Sequence, residues 1–200
     1  KSTFLKILSG ELDATEGSVI VDDATQISVL RQDQFAFDSK RVLDTVIMGH
    51  KKLYSLYAER LDLYSKSELT DEEGERIGEL EEAFFEMDGY TAESDASTML
   101  SELGITNELQ ELTMGELDSG QKVRVLLAQA LFGNPDVLLL DEPTNQLDYL
   151  SVLWLESFLL DFKNTVIVIS HDRHFLNKVC THIADVDFGE IKLYPGNYNF

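Results

Sequence analysis

Two carboxylates stand together at the end of a short apolar run, where Val137-Leu-Leu-Leu140 passes into Asp141-Glu142-Pro143-Thr144. Such a run reads as a buried strand, and charges at its exit are costly unless a cation meets them. A magnesium ion would meet that need. A second apolar run, Thr165-Val-Ile-Val-Ile169, exits into Ser170-His171-Asp172. A neutral imidazole there can donate one hydrogen bond to a phosphate oxygen and sense its presence. Taken singly, each feature is ordinary, an acidic loop and a structural histidine. It is their order and compact spacing that makes them informative.

For these groups to act together, the two strands must open at the same end. The segment from about Leu150 to Phe162 reads as a helix between them, which makes a βαβ unit with parallel strands and places the polar residues at the carboxyl ends. A further strand, Ile27 to Leu30, is followed by Gln32, and a helix over Lys122 to Phe132 follows Leu117-Asp118-Ser119-Gly120-Gln121. At the start of the chain, Lys1-Ser2-Thr3 precedes the helical stretch Phe4 to Leu8.

The three prolines lie at 135, 143 and 195, so the earlier chain has no hard helix breaker. From Val46, the positions His50, Leu53, Tyr57, Leu61 and Tyr64 recur at three and four, as do Ile77, Leu80, Phe84 and Met87. Thr70 and Glu73 have capping-box spacing after the turn-like Ser65 to Leu69. This predicts a helical hairpin with an acidic outer face carrying Glu72, Glu73, Glu75, Glu79, Glu81, Glu82 and Glu86, its second helix weakened at Gly74 and Gly78 by about 1 kcal/mol each.

In combination, the acidic strand exit, Leu147-Asp148, the helix, the second strand and Ser170-His171-Asp172 resemble the ABC ATPases along essentially the whole chain. Val137 to Glu142 is similar to Walker B, Leu147-Asp148 to the D-loop, His171 to the switch histidine and Gln32 to the Q-loop glutamine. Lys1-Ser2-Thr3 resembles the end of a P-loop whose glycines would precede Lys1. The resemblance implies an α/β P-loop NTPase cassette with a mostly parallel sheet, a helical signature subdomain and the hairpin as an inserted arm. The implied organisation is 1-44 for the start of the core, 45-95 for the arm, and 96-200 for the signature helix, Walker B, D-loop and switch-histidine half.

It further implies ATP and Mg2+ as cofactors. Glu142 would polarise the attacking water, with Gln32 and His171 at the γ-phosphate. Ser2, Gln32 and Asp141 would serve magnesium, and Lys1, Ser2 and Thr3 would hold the phosphates. Leu117, Asp118, Ser119, Gly120 and Gln121, with Asp148, would serve the nucleotide shared with a second cassette. Asp118 departs from the family's Leu-Ser-Gly-Gly-Gln, and its carboxylate would repel a partner's γ-phosphate. Without the P-loop glycines, the chain alone is expected to bind ATP poorly and to expose a sheet edge.

The hairpin and the segment Ser170 to Asn177 resemble the ABC-F branch, YbiT-type proteins in particular. In that branch two cassettes share one chain and several members act on the ribosome; the resemblance is to the first cassette, with Tyr194 to Tyr198 leading toward the linker. The rival expectations are the ATP-binding subunit of a membrane transporter, and a weakly hydrolysing, ATP-dependent binding module. A net charge of -21, from 37 acidic and 16 basic side chains, disfavours long-range attraction to nucleic acid without local basic patches. The single Cys180 forms no internal bridge, and there is neither an apolar run of membrane-spanning length nor a cationic leader, so the cytoplasm is the expected compartment.

Overall fold

The computed structural model describes residues 1–22, 24–30, 33–187 and 189–197. They form two compact units, one of residues 1–31 with 134–200 and one of residues 32–133.

In the first unit, helix α1 (Ser2–Leu8) precedes strand β1 (Ile27–Val29). The second unit holds the helices α2 (Val42–Ile47), α3 (Lys51–Ser65), α4 (Asp71–Glu86), α5 (Ala92–Glu102), α6 (Asn107–Gln110) and α7 (Ser119–Leu131). The chain then returns to the first unit with β2 (Val137–Asp141), α8 (Tyr149–Asp161), β3 (Thr165–Ile169), α9 (Arg173–Val179), β4 (His182–Asp187) and β5 (Glu190–Pro195).

Strands β1, β2 and β3 lie in that order and are parallel, with Leu139 paired to Val29 on one side and to Ile167 on the other. Leu138, Leu139 and Leu140 are fully buried, as a central parallel strand requires. In β3, Val166 to Ile169 stay half-buried because that strand is an edge of the described sheet, so burial on both faces holds for β2 and not for β3. Strands β4 and β5 form a separate antiparallel hairpin turning at Gly189 (φ 75°).

In the second unit, the stripe from Val46 to Tyr64 divides. Val46 belongs to α2, while His50 caps α3, its Nδ1 accepting from Leu53 N at 3.2 Å. Burial holds the His50 pKa below its ordinary value, which keeps Nδ1 available as an acceptor. The break falls at Gly49, where a Cβ would lie 1.9 Å from the Gln129 carbonyl oxygen of α7. Leu61 and Tyr64 of the same stripe are exposed, and Leu63 is buried instead.

Helix α4 carries the expected capping box at Thr70 and Glu73. It packs on α3 through Leu80 and Phe84, both buried. Two acids expected on the outer face turn inward: Glu73 pairs with Lys66 at 2.8 Å, and Glu81 accepts from Arg60 Nε at 2.8 Å and Tyr64 Oη at 2.9 Å.

Candidate functional site

The exits of β2 and β3 meet. Asp141 is in register with Ile169, and Glu142 N donates to Ile169 O at 2.8 Å. The Glu142 carboxylate accepts from His171 N at 3.2 Å, and its second oxygen lies 3.5 Å from His171 Nε2. Glu142 is 18% exposed and His171 93%, so a recessed carboxylate stands beside an imidazole open to a ligand.

The backbone supports this placement at a cost. Glu142 has φ 49°, a left-handed conformation that a side chain disfavours, and Pro143 after it restricts the residue further. Such conformations cost on the order of 1–3 kcal/mol and persist where surrounding contacts enforce them. Here the bonds to Ile169 and His171 do so, together with a turn in which Asn145 N donates to Glu142 O at 3.1 Å.

Among the other residues singled out, Ser2 and Thr3 open α1, which packs against β2. Lys1 and His171 line one groove of about 840 Å³ along β3. Asp148 caps α8, its Oδ1 accepting from Ser151 N at 2.9 Å. Gln32 lies outside the described residues. Leu117 to Gln121 belong to the second unit. There the Asp118 carboxylate accepts from Gln121 N at 2.8 Å while Gln121 Oε1 accepts from Asp118 N at 3.0 Å, a capping box at the start of α7.

Magnesium fits the oxygen chemistry of the β2 exit. It takes few protein carboxylates and keeps water and phosphate in its remaining positions. Glu142 Oε1 is buried without a hydrogen-bond partner among the described residues, and the half-buried Asp141 carboxylate stands next to it in sequence. The described residues hold no group of three or more His, Cys, Asp or Glu that would complete an all-protein cage.

Sequence reasoning missed two buried charges. Lys122 of α7, 6% exposed, pairs with Asp38 at 2.6 Å and lies 4.9 Å from the Phe35 ring centroid, tying α7 to the stretch that follows position 32. Glu156 of α8, 2% exposed, pairs with Lys178 of α9 at 2.6 Å. For Glu156 the signal is a lone charge inside an otherwise apolar helical stretch; Lys122, with Arg124 two residues on in the same helix, carries no such mark.

A parallel sheet with acids at one strand exit and an imidazole at the next defines the class: a P-loop NTPase-like α/β cassette. The same fold is found in the dimeric, post-hydrolysis ATP-binding cassette MJ0796, matched with TM-score 0.60 and 21% identity over 97% of this chain and 79% of that one. The ABC transporter family profile matches residues 1–145, and the chain belongs to that family, as a cassette of the ABC-F kind similar to YbiT and YkpA. It is 54% identical over its whole length to the ABC transporter ATP-binding protein YkpA of Bacillus subtilis and, equally, to the ATP-binding protein YbiT of Escherichia coli O157:H7. It spans 37% and 38% of those two proteins. No helix among the described residues is long and apolar enough to cross a membrane.

Proposed function

We propose that the chain is one ATP-binding and ATP-hydrolysing cassette of a longer ABC-F protein, working with a second cassette. The observation that carries this reading is the contact between Glu142 and His171 at adjacent strand exits. Glu142 is the base that takes a proton from the attacking water, and His171 Nε2 donates toward the terminal phosphate. Gln32 serves the same end of the nucleotide. Lys1 neutralises phosphate charge, with Ser2 and Thr3 at the start of α1. Asp141 and Ser2 hold magnesium, which when bound draws charge from the phosphate oxygens. The MJ0796 cassette was captured with ADP and Pi, which supports hydrolysis by this fold. Magnesium-dependent phosphate release from ATP by the full-length protein is the expected result, and its absence would refute the assignment.

Leu117 to Gln121 serve the nucleotide shared with the second cassette, and Asp148 is given the same role. The Asp118 carboxylate already occupies the Gln121 amide at the start of α7 and repels a phosphate brought there. Asp118→Ser keeps a good cap, so stability should stay within a few tenths of a kcal/mol. Turnover at the composite site should rise by about fivefold to tenfold, the effect of removing roughly 1–1.4 kcal/mol of repulsion. Unchanged steady-state turnover would show that Asp118 does not face phosphate. A second reading, a binding module with negligible hydrolysis, draws on the same carboxylate and is excluded by sustained phosphate release.

The chain is read as a first cassette whose residues 45-95 are a docking arm, in a cytoplasmic protein acting on the ribosome. Within the arm, Arg60 pairs with Glu81, Lys66 with Asp62 and Glu73, and Arg76 with Glu59 and Glu79. Glu72, Glu75, Glu82 and Glu86 are left exposed. Such a surface fits basic ribosomal protein better than RNA phosphate. Replacing those four by Gln should reduce cosedimentation of the full-length protein with ribosomes in ATP, whereas equal or stronger cosedimentation would count against the docking role.

A further inference from the structure

We propose that Glu156 is a positioning residue for hydrolysis, whose buried carboxylate holds Lys178 and thereby sets His171 against Glu142. The inference rests on the ATPase reading above and extends it to a group that touches neither nucleotide nor metal.

Glu156 lies on α8 with its side chain only 3% exposed, and its Oε2 accepts from Lys178 Nζ at 2.6 Å. His174 Nδ1 stands 3.8 Å from the other oxygen. Lys178 and His174 both belong to α9, so the buried anion bonds this short helix near its end and lies close to it near its start. A carboxylate taken out of water is strongly unfavourable without a cation, so this contact is enforced wherever α8 and α9 are packed.

Helix α9 needs such a constraint. It has seven residues, too few to be stable as an isolated helix, so tertiary contacts decide its placement. Phe175 and Leu176 bury apolar surface and set its depth, but apolar contact is non-directional and leaves rotation poorly fixed. The charged hydrogen bond from Lys178 supplies direction.

The start of α9 carries that orientation to the site. Asp172 caps the helix, accepting from His174 N at 2.9 Å and Phe175 N at 3.2 Å, and His171 immediately precedes the cap. The imidazole is otherwise exposed, with Glu142 its contact at 3.5 Å. Helix α8 begins at its cap Asp148, so Glu156 also links a residue assigned to the shared nucleotide with the one assigned to the phosphate.

Glu156 is buried in this pair while Lys178 is 42% exposed; replacing a buried charge and its partner together by matched apolar side chains often loses no stability, which separates a positioning role from a packing role. In the full-length protein, Glu156→Gln should lower kcat for ATP by about fivefold or more with KM within about twofold, and Lys178→Arg should stay near the parent. The double variant Glu156→Met with Lys178→Met should melt within a few degrees of the parent yet keep the low kcat. In protein labelled with 13C-histidine, the His171 resonance should move in Glu156→Gln. Parent-like kcat in the double variant, or an unmoved His171 resonance in Glu156→Gln, would overturn the proposal. A moved resonance in a protein whose parent releases no phosphate would instead defeat the ATPase reading and leave the positioning contact standing.

Discussion

Glu142→Gln in the full-length protein is expected to slow phosphate release by about 10²- to 10⁴-fold, the range for losing a positioned general base. The substitution removes a charge and very little else. The introduced amide oxygen can still accept from His171 N, and the backbone bond from residue 142 to Ile169 is independent of the side chain. The left-handed backbone at this position is as disfavoured for glutamine as for glutamate, so fold stability should be nearly unchanged. Nucleotide should therefore bind and remain unhydrolysed. Single-turnover kinetics would separate the steps: an ATP-bound state that persists, with affinity equal to or tighter than the parent, is the expected outcome. Turnover within a factor of about three of the parent would remove Glu142 from the base role.

The parts of the site that are legible in the sequence are those in which chemistry follows directly on a periodic signal. Val137 to Leu140 and Thr165 to Ile169 are short apolar runs, each ending in polar residues, and parallel pairing brings those ends together. Thr70 and Glu73 announce the start of α4 because a cap is local. Asp118 and Gln121 have the same spacing and close the same kind of cap at the start of α7. The β4–β5 hairpin was also within reach, since Ile191 and Leu193 alternate with Glu190 and Lys192 after Gly189.

Other features depend on contacts that sequence spacing does not contain. The carboxylate of Glu156 finds its cation 22 residues away, and Lys122 finds Asp38 84 residues away. The inward turn of Glu81 reflects Arg60 lying among the rings of Tyr64, Phe84 and Tyr90, a cluster assembled from both helices of the hairpin and the turn after it. A charge pattern read along α4 alone assigns that residue to solvent. Cross-helix chemistry reverses the assignment while leaving the hairpin itself intact.

Gly49 is the extreme case, because what it does is make room. It closes the turn after α2, its N–H donating to Val46 O at 2.9 Å, and its missing side chain admits the backbone of Gln129. An added Cβ would sit 1.9 Å from the Gln129 carbonyl oxygen and 2.9 Å from its carbonyl carbon. Relief by a side-chain rotation is not open here, since both atoms are backbone within α7. Helix α2 cannot simply withdraw either: Val42, Val46 and Ile47 are fully buried, as are Val125, Leu127 and Ala128 of α7. Gln129 Nε2 also donates to Thr45 O at 2.8 Å, so a shift would leave buried polar groups unpaired. Gly49→Ala is therefore expected to cost about 3 kcal/mol or more, the upper range for overpacking. For a unit of roughly 100 residues this lowers the melting temperature by more than about 10 °C. Hydrogen exchange resolved to α2 and α7 in the full-length protein should show the loss of protection there first. A melting temperature and exchange pattern equal to the parent would mean that α2 and α7 do not meet at this glycine.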